Sequence, residues 1–143
     1  MPKGNTFDND LVAVILNAAA IANIADNAAT APLTSVFVSL HTADPGGAGT
    51  QSTSEATYTG YARVSVARTS GGWTVATGTA TNAAAINFPA CTAGASTCTY
   101  FAVGVASSGA TKILYRGALT ASLAVTAGIT PSFAIGQLSI SET

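Results

Sequence analysis

The stretch Val36-Phe37-Val38-Ser39-Leu40-His41-Thr42-Ala43-Asp44-Pro45-Gly46-Gly47 decides the class of fold. Val36, Val38 and Leu40 alternate with Phe37, Ser39 and His41, the two-residue period of a half-buried strand. Asp44-Pro45-Gly46-Gly47 then supplies turn chemistry, because Pro fixes φ and Gly admits conformations closed to other residues. A strand followed by a long polar loop is expected, with Ala43 to Thr59 as a contact surface containing Glu55 and Tyr58.

Downstream, the same punctuation recurs. Tyr61 to Ala67 alternates and is expected to form a strand carrying Arg63; Gly71-Gly72 turns the chain into Trp73 to Thr77; Ala85 to Phe88 is stopped by Pro89. Thr99 to Ala106, Lys112 to Leu119, Leu123 to Val125, Pro131 to Ile135 and Gln137 to Ile140 follow, separated by Gly and Ser turns. About eight short strands cut by such turns predict an all-β, jelly-roll-like sandwich.

Upstream, Asp8, Asn9 and Asp10 precede apolar residues at Leu11, Val14, Ile15, Ala18 and Ile21 or Ala22, which predicts one amphipathic helix over 10–24 with an acidic N-terminal cap. Residues 1–9 are expected to be an arm and 10–143 a single domain, since a chain this long buries ~68% of its unfolded surface. The 14-residue run Leu11 to Ile24 is broken by Asn17 and Asn23 and is too short and polar to span a bilayer, and no signal peptide is recognisable. Synthesis in a cytosol is the expectation.

Only 8% of residues are charged, against about 25% in an ordinary domain. With five Lys+Arg, six Asp+Glu and a net charge of −1, no basic stripe exists to neutralise phosphates, which argues against nucleic acid. So weakly charged a surface is poorly protected against association.

Catalytic equipment is not recognisable. His41 and Asp44 with abundant hydroxyls invite a Ser-His-Asp reading, but no Gly-x-Ser-x-Gly elbow is present. Capping explains the carboxylates a glycosidase would need, and Asp44 with Glu55 lacks an EF-hand spacing for calcium. Two cysteines, Cys91 and Cys98, and one histidine fall short of a structural zinc site, and the pair is read either as a loop-closing disulfide or as two thiols. No cofactor, metal or enzymatic activity is expected. Arg63 and Arg116, beside Tyr61 and Tyr115, read either as charges blunting strand edges or as interface anchors; with Tyr58 these five residues are the candidate protein interface.

Leu40-His41-Thr42-Ala43-Asp44-Pro45, Gly60-Tyr61-Ala62-Arg63, Ile86-Asn87-Phe88-Pro89 and Leu114-Tyr115-Arg116-Gly117-Ala118-Leu119-Thr120, behind an N-terminal helix, resemble a group of small tailed-bacteriophage virion proteins. Some of these bear the label tail fibre protein; the chain is most similar to the head cementing, or decoration, proteins of the group, a Bordetella phage's among them. The resemblance implies a jelly roll on the outer surface of an icosahedral head that joins neighbouring major capsid protein subunits, as a homodimer and without catalytic residues. The alternative is a tail or tail-fibre component that binds a host surface receptor.

Overall fold

The structure is a computed structural model and describes residues 5–21 and 32–141. Helix α1 spans Asn5–Leu16, and nine strands follow among the described residues: β1 (Ser35–His41), β2 (Val64–Ala67), β3 (Trp73–Ala76), β4 (Thr79–Asn82), β5 (Ile86–Asn87), β6 (Ala95–Gly104), β7 (Ile113–Thr126), β8 (Ser132–Phe133) and β9 (Ser139–Ser141). The fold is mostly β with one N-terminal helix, the all-β class the strand pattern predicts. Where the sequence reads as one domain, the chain forms two compact units, one holding α1, β3, β4 and β9 and the other most of β1 and β2 with β6 and β7.

In the helix-bearing unit, the sheet order is β3-β4-β9, with β3 and β4 joined as an antiparallel hairpin. Thr77 (φ 50°) and Gly78 (φ 73°) form its loop, the two positive values that a tight primed turn demands. α1 buries Val12 and Leu16 completely, one helical turn apart, alongside the buried Trp73, Ala80, Leu138 and Ile140 of this unit. The expected stripe of Leu11, Val14 and Ile15 is only half-buried, because Leu-Val-Ala-Val-Ile-Leu is apolar all round and marks no single face.

The helix also differs from the expected 10–24: it starts at Asn5 and stops at Leu16, and residues 22–24 lie outside the described residues. Its end has a visible cause. Ala18 takes a positive φ of 52°, and Arg68 donates from Nε to the Ile15 carbonyl (2.6 Å) and from NH2 to Val14 (2.8 Å). Those carbonyls are among the last four of the helix, which have no partner within it, and a guanidinium there also opposes the negative end of the helix dipole. Arg68 NH1 reaches the Leu33 carbonyl (2.6 Å) as well.

In the strand-bearing unit, the sheet order is β2-β1-β6-β7. β1 pairs antiparallel with β6, and β6 with β7, with register shifts at Cys98/Tyr100 and Val103/Gly104. Val36, Val38, Leu40, Val103 and Val125 are buried here with Tyr58 and Phe88. β7 is one continuous strand of 14 residues where the sequence reads two. Cys91 and Cys98 are free, buried thiols; Cys91 donates to the Ala93 carbonyl, and burial pushes the Cys98 thiol up to about 11.

Candidate functional site

The second half of β1 is buried on both faces, so Ser39 and His41 lie inside although the alternation points them outward. The loop after β1 folds back over them. Its Gln51 is fully buried, donating from Nε2 to the Phe37 carbonyl (3.0 Å) and to Ser39 Oγ (3.3 Å), while Oε1 accepts from Thr111 Oγ1 (2.9 Å) and Arg63 NH1 (3.4 Å). Gly104 makes room for it: a Cβ there would stand 2.0 Å from the Gln51 side chain.

Arg63 is the hub. Its side chain is 2% exposed; Nε and NH2 donate to the two Glu55 carboxylate oxygens at 2.7 and 2.8 Å. NH1 donates to the Ala106 carbonyl (3.0 Å) and Thr111 Oγ1 (3.3 Å), and NH2 to the Gly109 carbonyl (2.8 Å) and Ser52 Oγ (3.4 Å). One guanidinium thus ties the 44–61 loop to the β6–β7 connection. Tyr61 completes the cluster, its hydroxyl accepting from Leu40 N–H (3.1 Å) and donating to Glu55 Oε1 (2.9 Å). Burial, above all, raises the pKa of that hydroxyl.

This cluster is a clamp rather than a reaction centre. Ser39 Oγ lies 2.9 Å from His41 Nε2, but the partner of His41 Nδ1 is the Thr53 carbonyl (2.8 Å), not a carboxylate. A main-chain carbonyl holds the ring without stabilising an imidazolium as a triad carboxylate does, and Ser39 and His41 are sealed from solvent. Burial lowers the His41 pKa. Asp44 is drawn elsewhere: it accepts from Gly46 N–H (2.8 Å) and from Arg116, and these donors hold its carboxyl below the ordinary range. Asp44 and Glu55 are thus each committed to an arginine, and among the described residues no three His, Cys, Asp or Glu side chains gather as a metal site.

The five expected interface residues separate. Tyr58 is buried, donates to the Pro89 carbonyl (3.0 Å) and meets the Tyr61 ring edge-on at 5.4 Å; burial pushes its hydroxyl up to about 12. Tyr61 also stacks on Phe88 at 6.3 Å. Arg63 precedes β2 rather than lying in it, and its hydrogen-bonding capacity is spent internally. Tyr58 and Arg63 thus make their contacts within the chain: Tyr-Arg-rich loops serve internal cross-linking as readily as interfaces, and composition does not separate the two. Tyr115 is half-buried on β7, and Arg116, beside it, is exposed.

What remains at the surface is β7 itself. It ends the sheet, and no strand lies on its far side among the described residues. Ile113, Tyr115, Leu119 and Leu123 stay half-exposed along this strand. Natural edges are blunted by prolines, lysines, bulges or brevity; β7 is long and contains no Pro or Lys, its single charge, Arg116, is paired with Asp44, and its irregularities are the two register shifts against β6. Sequence reading splits the strand at Ala121-Ser122, where small residues look like a turn; β7 instead runs on through this point with a register shift against β6.

No helix among the described residues is long and apolar enough to cross a membrane. No curated protein matches the chain. A family model described as Podophage GP4 fiber I protein gp80 matches residues 12–141, nearly the whole chain and both of its compact units. The chain belongs to that family of phage structural proteins.

Proposed function

We propose that this virion protein cements the head: it binds the outer surface of the icosahedral capsid and joins neighbouring major capsid protein subunits, acting as a homodimer. The observation that carries the reading is the long outer edge of β7, free of Pro and Lys, on a nearly uncharged surface. An open edge offers a row of main-chain donors and acceptors to a second strand. Pairing of β7 with the β7 of a second copy along this edge would join the two chains through main-chain hydrogen bonds. A ligand that binds only the assembled shell adds its binding free energy to the shell's stability, and a dimer spanning two capsid subunits gains through effective concentration.

The test is to add purified protein to heads lacking it and to measure retention by sedimentation and resistance to heat or dilution. Saturable binding in fixed ratio to the major capsid protein, with heads surviving longer, supports cementing. Thr120→Lys, at an exposed position on the edge, should lower self-association and retention while leaving folding intact. Failure to bind heads removes the proposal.

The word fibre in the family's description favours a second reading, a tail or tail-fibre component that recognises a host surface receptor. Retention by host cells in the absence of heads would support it.

A further inference from the structure

The chain has five Lys and Arg residues, and its structure spends two of them internally: Arg63 in the clamp and Arg68 at the end of α1. Lys112 and Arg116 are instead both exposed and both line one open depression of about 300 Å³ at the start of β7. Its other wall is Gly46–Gly49. Lys112 has no hydrogen bond or ion pair among the described residues, and the N–H groups of Gly47 and Ala48 have no partner among them either.

The depression already displays the chemistry it favours. Asp44 sets its carboxylate on Arg116 and on the Gly46 N–H, so an arginine and a glycine-loop amide here hold a carboxylate of the chain's own. One acid against two cations leaves a formal charge of +1 around the depression, on Lys112. Nothing fills the space above Gly46 or Gly47, where even a Cβ would meet no atom within 4 Å, so an incoming group approaches the main chain directly. Charge-assisted bonds to an oxyanion from such donors are short and strong.

We propose that this depression receives a carboxylate side chain, Asp or Glu, from a protein partner, which Lys112 and the Gly47–Ala48 amides hold. The partner is read as a protein because the wall continues into the half-buried Ile113 and Leu114, an apolar rim for the residues flanking such an acid, and contains no aromatic platform for a sugar ring. That assignment rests on the virion-docking reading above, whereas the oxyanion chemistry rests on the depression alone.

The test is an amide-resolved NMR titration of the whole chain with N-acetylglutamate amide, alongside N-acetylglutamine amide, inorganic phosphate and galacturonate. The expected result is saturable shifts at Gly46–Gly49 and Lys112 with the glutamate probe, none with glutamine, and about tenfold weaker binding in Lys112→Ala. Lys112→Arg should retain it, and because Lys112 is exposed the variant's spectrum elsewhere stays native. No shift at these amides, or equal response to glutamine, overturns the proposal. Phosphate or galacturonate binding about tenfold tighter than glutamate overturns the protein partner in favour of a phosphorylated ligand or an acidic glycan. Failure of the titration with normal retention on heads rejects the pocket alone; shifts as expected with no retention reject the cementing reading alone.

Discussion

Arg63 grips both carboxylate oxygens of Glu55, Nε at 2.7 Å and NH2 at 2.8 Å, with its side chain 2% exposed. The planar guanidinium suits this two-pronged contact, and its remaining donors reach Ala106, Gly109 and Thr111. Taking one partner from a buried pair leaves an uncompensated charge. Arg63→Ala is expected to destabilise the protein by about 3–5 kcal/mol in urea unfolding. Arg63→Lys should recover only part, since an ammonium cannot span both oxygens. A loss below about 1 kcal/mol would refute the clamp.

Acid should loosen the same region through His41. Burial lowers its pKa, so the folded protein holds the neutral ring while the unfolded chain titrates near the ordinary 6.5. The contribution is complete above pH 6.5 and is lost as pH falls from there toward the folded-state value, because the unfolded chain then binds the extra proton. Urea midpoints measured from pH 7.5 to 5.5 should decline, and His41→Asn, less stable throughout, should decline less steeply.

Gly104 and Gln51 are expected to be coupled. Gly104→Ala drives a methyl into the fully buried Gln51 side chain and should cost about 1–3 kcal/mol. Combined with Gln51→Ala, the two losses should sum to less than their separate values, since the clash disappears with the amide. Strict additivity in the cycle would contradict the packing described.

Arg68 terminates α1, and its removal should be felt locally. Arg68→Ala leaves the Val14 and Ile15 carbonyls without this donor, so amide exchange should accelerate through the helix more than in β6. Arg68→Lys should fail to restore protection because the bonds to Val14, Ile15 and Leu33 need a fork.

The strands around Val36–Leu40 and Trp73–Val75 were legible because β-branched and aromatic residues alternate there between Gly turns. β4 was not: Thr-Ala-Thr-Asn lacks hydrophobic contrast, and only the turn glycine, Gly78, could have flagged its hairpin. The polar loop after β1 was readable as a long connection, but its collapse onto Ser39 and His41 depends on non-local partners at Ala106 to Thr111, which no local periodicity encodes. That is also why Arg63 read as an anchor for a partner: a strand-flanking arginine looks alike whether its acid comes from the same chain or another. Arg116 was placed on a strand correctly, yet the glycine wall across from it lies far away in sequence.

The most direct test of the central claim is the copy number of this chain in separated heads and tails of purified virions, by quantitative mass spectrometry. Cementing predicts hundreds of copies in the head fraction, in simple ratio to the major capsid protein. A handful of copies confined to tails would contradict it and leave the receptor-binding reading in its place.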